Sequence, residues 1–309
     1  MRTVLVMVVV MFTCSFLYGG EAPKPDRQKI ADHLQEISVT VKAGYSQGSG
    51  MIMTRKMKVG DKERYINFIW TAGHVVAGLR KVETIIDPKT GMERKKVTFK
   101  DAAIVQEHRF DGRRVGEAKL DVKVLCYSKD QDLALLQVRM PDYKRVTMTW
   151  YLDDKTPALG TDLYHVGSMG GQTLGANSMT SGIVSQIGRV LDGQEYDQTE
   201  TTATKGSSGG GVFLRDGRVI GVLTMGVNSG DNFNFVVPVR RIRKWTKKMK
   251  IIWAIDPRVK MPTEEELKKI PIEDSGATFD GKPVPPKGYK FMIYRLDQEA
   301  QNIPRVKAP

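Results

Sequence analysis

From Ile37 to Val239 short apolar runs alternate with clusters of glycine, proline and polar residues, a pattern that predicts β-strands in place of helices or βαβ units. The clear runs are Ile37–Val41, Gly50–Thr54, Tyr65–Thr71, Val122–Tyr127, Leu133–Val138, Leu163–Val166, Gly182–Gln186, Val212–Leu214, Val219–Thr224 and Phe233–Val237. No repeat or long helix interrupts them, and their number suits an all-β fold of two small antiparallel β-barrels. The Pro-containing polar stretch Pro141–Pro157 separates two groups of strands. It places one barrel over residues 36–140 and a second, with a terminal helix, over residues 150–253. After Pro238 the period changes: Val239, Ile242, Trp245, Met249 and Ile252 recur every three to four residues, with Arg240, Arg241, Arg243, Lys244, Lys247, Lys248 and Lys250 between them. That spacing predicts an amphipathic basic helix whose apolar stripe packs on a barrel. The tail 254–309 is polar and Pro-rich, with a capping-box start at Thr263 and Glu266 and a strand-like Tyr289–Leu296, and no role is read from it.

Composition narrows the classes. A 40% hydrophobic content is enough to give two units a core each. The net charge of +13 admits an anionic surface as partner, with the basic helix 240–250 as the contact. Lys and Arg are spread widely and no nucleic-acid motif accompanies them, so no nucleic acid is expected. The two cysteines are Cys14, in the apolar leader, and Cys126, so a processed chain keeps one thiol and no internal disulfide. Arg2 followed by the apolar run Val4–Leu17 and small residues Gly19, Gly20 and Ala22 reads as a secretory signal over residues 1–20. The run is short for a span of roughly 20 apolar residues. Export to a periplasmic or secreted location follows, with an uncleaved membrane anchor as the alternative.

The chemistry centres on Lys205-Gly206-Ser207-Ser208-Gly209-Gly210-Gly211. A bare Gly/Ser turn is a loop, and neither a phosphate-loop pattern nor a following helix is present. The same glycines, however, permit the sharp turn that would expose Ser208 Oγ and aim the amides of Gly206 and Ser208 at a developing oxyanion. A serine nucleophile needs a base, and there are four histidines: His33, His74, His108 and His165. His74 follows the apolar strand through Thr71-Ala72-Gly73, at a strand end. His165 lies within a strand and reads as core or pocket wall, and His33 and His108 sit in polar surroundings. The acid that fixes the imidazole should abut a buried strand, which favours Asp132, at the head of Asp132-Leu133-Ala134-Leu135-Leu136, over its neighbour Asp130.

TAGHV around His74, DLALL from Asp132 and GSSGGGV around Ser208 stand in the order His, Asp, Ser, and so resemble the chymotrypsin-fold serine proteases, in particular the HtrA/Deg branch. TSGIVSQIGR at Thr180–Arg189, QTETTATKGSSGG at Gln198–Gly210 and GVLTMG at Gly221–Gly226 extend the resemblance over Ser38–Lys250. It implies two barrels of the chymotrypsin type with the site between them, a His74/Asp132/Ser208 triad, and polypeptide substrates laid as an added strand along Thr224, Met225 and Gly226. It also implies that Thr202 floors the primary specificity pocket, that Ala203 lines it, and that Asn234, where the family often has glycine, makes it shallower. No metal and no organic cofactor is implied.

Departures from the family accompany these matches. The residue before the nucleophile is Ser207 where the branch has Asn, a change expected on the outside of the turn that leaves the oxyanion amides intact. The His74 to Asp132 separation, 132 − 74 = 58, is long, and the excess is placed in a charged loop Asp87–Gly116. No PDZ-like module is recognised after Trp253. The rival readings are a catalytically silent barrel that binds polypeptide or anionic polymer, and an esterase built on the same triad.

Overall fold

The computed structural model describes residues 27–86, 91–170, 175–226 and 233–274. Six antiparallel strands close the first barrel: β1 (Ser38–Ala43), β2 (Ser46–Val59), β3 (Lys62–Thr71), β6 (Ala102–Phe110), β7 (Arg113–Ser128) and β8 (Leu133–Val138), in the order β1-β2-β3-β8-β7-β6 with β6 returning to β1. The second is built from β10 (Asp162–Gly167), β11 (Ser178–Leu191), β12 (Gln194–Thr199), β13 (Gly211–Leu214), β14 (Arg218–Gly226) and β15 (Asn234–Pro238). Its order is β13-β10-β11-β12-β15-β14, and the β13–β14 pairing closes it. The two antiparallel barrels expected from the alternation are therefore present. The proposed leader and Tyr289–Leu296 lie outside the described residues.

The unbroken apolar runs in β3 and β8 have a structural cause. Alternate strand residues face opposite sides, and here both sides are covered. Val39, Val41, Ile52, Ile69, Ile104 and Leu136 fill the first barrel, whereas Met51, Met53, Phe68, Trp70, Leu133 and Leu135 face a larger core shared with the second barrel and the C-terminal helix. Trp70 sits at the junction, fully buried, with its indole N–H donating to the Ala254 carbonyl at 3.0 Å. Its ring meets those of Trp150 and Trp245 edge-on at 5.5 and 5.9 Å, a favoured aromatic geometry.

The stretch Asp87–Gly116 is not a charged loop. Apart from residues 87–90, which are outside the description, it is mostly strand: β5 (Glu93–Phe99) forms a separate ribbon with β4 (Arg80–Ile86), which precedes the stretch, and β6 and β7 continue as a long hairpin. The strands escaped the apolar pattern because the ribbon is wet on both faces and is held by its ladder and by cross-strand neighbours such as Glu83 opposite Lys96. The connection Pro141–Pro157 is likewise packed down. Met148, Trp150 and Tyr151 are buried, and β9 (Thr149–Trp150) pairs in parallel with β14.

Helix α1 (Arg27–Glu36), not anticipated from the pattern, inserts Leu34 into the shared core. Helix α2 (Gly73–Val76) is a single turn, and α3 (Val239–Lys248) is the expected basic helix, with Val239, Ile242 and Trp245 buried and Met249 just beyond its end. Beyond it, α4 (Glu264–Lys268) starts with the anticipated reciprocal Thr263/Glu266 capping box. The intervening chain is tied to the first barrel by Arg55 of β2, whose guanidinium donates to the carbonyls of Trp253, Asp256, Pro257 and Val259. Replacing Trp70 with Ala opens a cavity where both barrels and α3 meet, and should cost about 3–5 kcal/mol of stability. A lowered midpoint of chemical denaturation against wild type is the expected result; an unchanged midpoint contradicts this packing.

Candidate active site

The loop after β12 turns on two glycines with positive φ, Gly206 at 98° and Gly209 at 89°. A Cβ on Gly209 would also lie 2.2 Å from both the Ser49 carbonyl and Thr71 Oγ1, so that position has no room for a side chain. Between them each carbonyl finds a partner. Lys205 O accepts from Gly170 N at 2.9 Å, Gly206 O from Ser49 Oγ at 2.7 Å, Ser207 O from Gly210 N at 3.0 Å and Ser208 O from Ser49 N at 2.7 Å. Among the described residues the amides of Gly206 and Ser208 donate to no acceptor. Both are thereby left for an external oxygen. Ser207 corrects the expectation for the turn: it is fully buried, not on the outside, and its hydroxyl accepts from Thr204 N at 3.1 Å. A small hydroxyl closes the turn from within while the two amides stay free.

His74 is carried by α2, directly after the last residues of β3. Asp132 opens β8 in a left-handed conformation, φ 50°, with its amide donating to Lys129 O at 3.1 Å. That turn brings the carboxylate back over α2. Asp132 Oδ1 accepts from the His74 amide at 2.8 Å, and Oδ2 lies 2.9 Å from His74 Nδ1. The ring is half exposed and the carboxylate largely covered. Hydrogen bonding to the Asp132 carboxylate raises the His74 imidazole above the ordinary histidine range, against the opposing effect of burial. Burial pushes the Asp132 carboxyl up, but hydrogen bonds from His74 and Thr224 outweigh it and hold the group below the ordinary carboxylate range. Asp130 is exposed and does not enter the site.

Thr224 joins these groups to Ser208. Its Oγ1 hydrogen-bonds Asp132 Oδ2, and its carbonyl accepts from Ser208 Oγ at 3.0 Å. From the sequence alone Thr224 has only a backbone role. A second unforeseen group is Arg241 of α3, which is buried, stacks 4.7 Å over the Tyr196 ring, and donates to Gln131 Oε1 at 2.9 Å, Asp130 O at 3.0 Å and Glu195 O at 3.2 Å. It thus pins the turn before Asp132 to the second barrel. Nothing in a run of basic residues distinguishes an inward arginine from a solvated one.

Of the remaining expected residues, Asn234 and Gly226 come together. Asn234 is buried, donates from Nδ2 to Thr201 O at 2.7 Å, and has its Oδ1 2.5 Å from where a Gly226 Cβ would stand. Its amide therefore spans the space beneath the β14 end. Ala203 is partly buried against the core, and Met225 is 38% exposed. Thr202 is exposed, with its carbonyl accepting from Thr180 Oγ1 at 2.9 Å, and lines an open surface hollow with Tyr164, Met179 and Ser181. His165 is fully buried, bonded through Nδ1 to Gly211 O at 2.9 Å, and burial pushes its imidazole down to about 4. It is a neutral core residue beneath the glycine turn, next to Gly210. His33 and His108 lie on α1 and β6. Among the described residues no group of three or more His, Cys, Asp or Glu side chains is placed to hold a metal ion.

Comparison with known proteins is consistent with this geometry. The periplasmic serine endoprotease DegP of Salmonella typhimurium is 30% identical over 158 residues, covering 48% of this chain and 31% of that protein. Serine protease HTRA1 of Xenopus tropicalis is 26% identical over 149 residues, 46% of this chain and 31% of that one. The chain thus aligns with about a third of the length of these curated relatives. Among solved structures, a serine endoprotease from Yersinia pestis superposes with a TM-score of 0.52 at 19% identity, covering 75% of this chain and 68% of that one. Deg5 gives 0.51 at 19% identity, over 76% and 99%. These likenesses establish the two-barrel fold. The family model for the trypsin-like peptidase domain matches residues 48–222, more than half of the chain, and with the barrels, the Gly206–Gly209 turn and the His74–Asp132 pair in place this protein belongs to the trypsin-like peptidase family.

Proposed function

We propose that the chain is an exported serine endopeptidase that cleaves extended or unfolded polypeptides through an acyl-enzyme, with Ser208 as nucleophile, His74 as general base and Asp132 as the acid that orients it. The observation that carries the reading is the pairing of a carboxylate-bound imidazole with a serine turn in which the amides of Gly206 and Ser208 have no acceptor among the described residues. In the resting state the Ser208 hydroxyl points to Thr224 O. Attack on a peptide carbonyl requires that hydroxyl to turn to His74 Nε2, which takes its proton while the new O⁻ is held by the Gly206 and Ser208 amides. His74 then returns the proton to the leaving amine, and water, activated by the same imidazole, releases the acyl group.

Relatives named for periplasmic endoproteases support export. In this reading residues 1–20 are the signal, 36–140 and 150–253 the two barrels, and 254–309 a tail. The β14 end, Thr224–Gly226, supplies the edge for the substrate backbone. Any anionic contact through 240–250 rests on lysines: Lys244, Lys247 and Lys250 are exposed, while Arg240 is taken up by Glu195 and Asp197.

Ser208→Ala should abolish both fluorophosphonate labelling and casein hydrolysis without altering the melting profile. Asp132→Asn should lower the rate by about four orders of magnitude through the wrong imidazole tautomer. Wild-type rates in either variant would refute the assignment.

The acid limb of the rate profile follows from the raised His74. The base works only when neutral, so activity should fall as pH drops through a midpoint above the ordinary value of about 6.5. A midpoint below that value would mean that Asp132 is not acting on the titrating group.

Cleavage is expected after Ala, Val or Leu, and poorly after Lys or Arg. Neither Thr202 nor Ala203 offers a carboxylate, and an unpaired ammonium is costly to bury. Asn234 occupies the space below Gly226 and should exclude Phe, Tyr and Trp. A peptide library decides: dominant cleavage after Lys or Arg overturns the pocket, and dominant cleavage after Phe or Tyr overturns the role of Asn234.

A further inference from the structure

Resting on the protease reading above, we infer that Ser49 is a positioning residue for the oxyanion hole, acting from the first barrel on a peptide plane of the second. Ser49 lies in β2, is 1% exposed, and uses every polar group it has. Its amide donates to Ser208 O at 2.7 Å and its carbonyl accepts from Thr71 Oγ1 at 2.7 Å. Its hydroxyl donates to Gly206 O at 2.7 Å and accepts from Ser168 N at 2.8 Å. The Ser168 side chain in turn hydrogen-bonds Thr40 of β1.

The argument turns on what a peptide plane can do. A trans peptide is planar, so fixing the carbonyl of one unit fixes the direction of the amide in the same unit. The Gly206 amide shares its plane with Lys205 O, held by Gly170 N, and the Ser208 amide shares its plane with Ser207 O, held by Gly210 N. The intervening Gly206–Ser207 plane is held at its amide within the turn, Ser207 N donating to Thr204 O at 2.9 Å, and at its carbonyl by a side chain, Ser49 Oγ. Gly206 has φ 98° and no Cβ, so the residue itself offers little resistance to a flip of this plane, and among the described residues Ser49 Oγ is the hold on it from the other barrel. A flip would rotate Gly206 C=O towards the space reserved for the oxyanion and draw the Gly206 and Ser208 amides out of convergence. The Ser49 hydroxyl opposes it at the carbonyl end, as the Thr204 contact does at the amide end, since it satisfies the carbonyl where it is and is itself aimed by Ser168 N. Outside the hole, the same buried carbonyl would need another donor, and none of the neighbouring glycines offers a side chain.

The test compares Ser49→Ala and Ser49→Cys, which lack a strong donor, with Ser49→Thr, which keeps the hydroxyl. Turnover of a peptide ester, inhibition by a peptide boronic acid and amide hydrogen exchange over 204–211 are read in each. Removing a direct oxyanion donor costs on the order of 10²–10³ in rate, and an indirect loss should fall in the range of about 10- to 100-fold in kcat. KM and the acid midpoint of the profile should stay at wild-type values, because neither substrate contacts nor the His74–Asp132 pair are touched. Boronic acid affinity should fall in proportion to kcat/KM, exchange at the Ser207, Gly209 and Gly210 amides should quicken, and Thr should restore both. Wild-type kcat together with wild-type exchange in the Ala or Cys variant overturns the inference, as does a loss accompanied by a shifted acid midpoint. If Ala does not fold, Cys, closer in size to Ser, decides. A wild-type chain inert to ester and fluorophosphonate sinks the protease reading instead, and the anchoring of the Gly206–Ser207 plane is then judged by hydrogen exchange alone.

Discussion

Four consecutive carbonyls, from Lys205 to Ser208, must all be satisfied on one side of the chain if two amides are to stand free on the other. Buried peptide groups without partners are costly, so this single requirement dictates much of the surrounding structure. Two of the four partners are the amide and hydroxyl of one residue of the other barrel, Ser49. The turn therefore cannot hold its shape within the second barrel alone. It also explains the glycines: Gly209 sits where the backbones of the two barrels come within contact distance, and Gly206 adopts a φ that side chains disfavour.

The His74–Asp132 half obeys a complementary constraint. Asp132 is drawn into cover by Leu133, at the start of a buried strand, and the desolvation of its carboxylate is offset by donors from three directions: the His74 ring, the His74 amide and Thr224 Oγ1. The Thr224 donor comes from the second barrel, as does the Arg241 clamp on the preceding turn. Each half of the site thus borrows a side chain from the opposite barrel. Barrel docking and site assembly are one event.

How much was legible in the sequence followed burial. β3 and β8 were plain because both their faces are covered, giving Phe68-Ile69-Trp70 and Leu133-Ala134-Leu135-Leu136 without polar interruption. The ribbon of β4 and β5 was not, because a two-sided wet strand has no period to read. The glycine turn and the strand-end histidine stood out by their neighbours, and the structure brings His74, Asp132 and Thr224 together with Ser208 bonded to Thr224. Ser49, Ser207 and Arg241 did not announce themselves. Polar residues of kinds normally solvated, they acquire meaning only from a partner 110 to 157 positions away or, for Ser207, from a fold-back of the turn onto itself.

The Arg55 guanidinium gathers the carbonyls of Trp253, Asp256, Pro257 and Val259, and Arg80 holds Glu273 at 2.8 and 2.7 Å a little farther along. The chain thus crosses from the first barrel to the second through 139–161 and is then strapped back across the first. A pair of bodies joined by one connector can swing open like a book; a pair joined at both ends of the second body has lost that hinge. Any change in the separation of the barrels must therefore first break the Arg55 and Arg80 contacts, so the stretch 253–273 acts as a strap on the two-barrel arrangement.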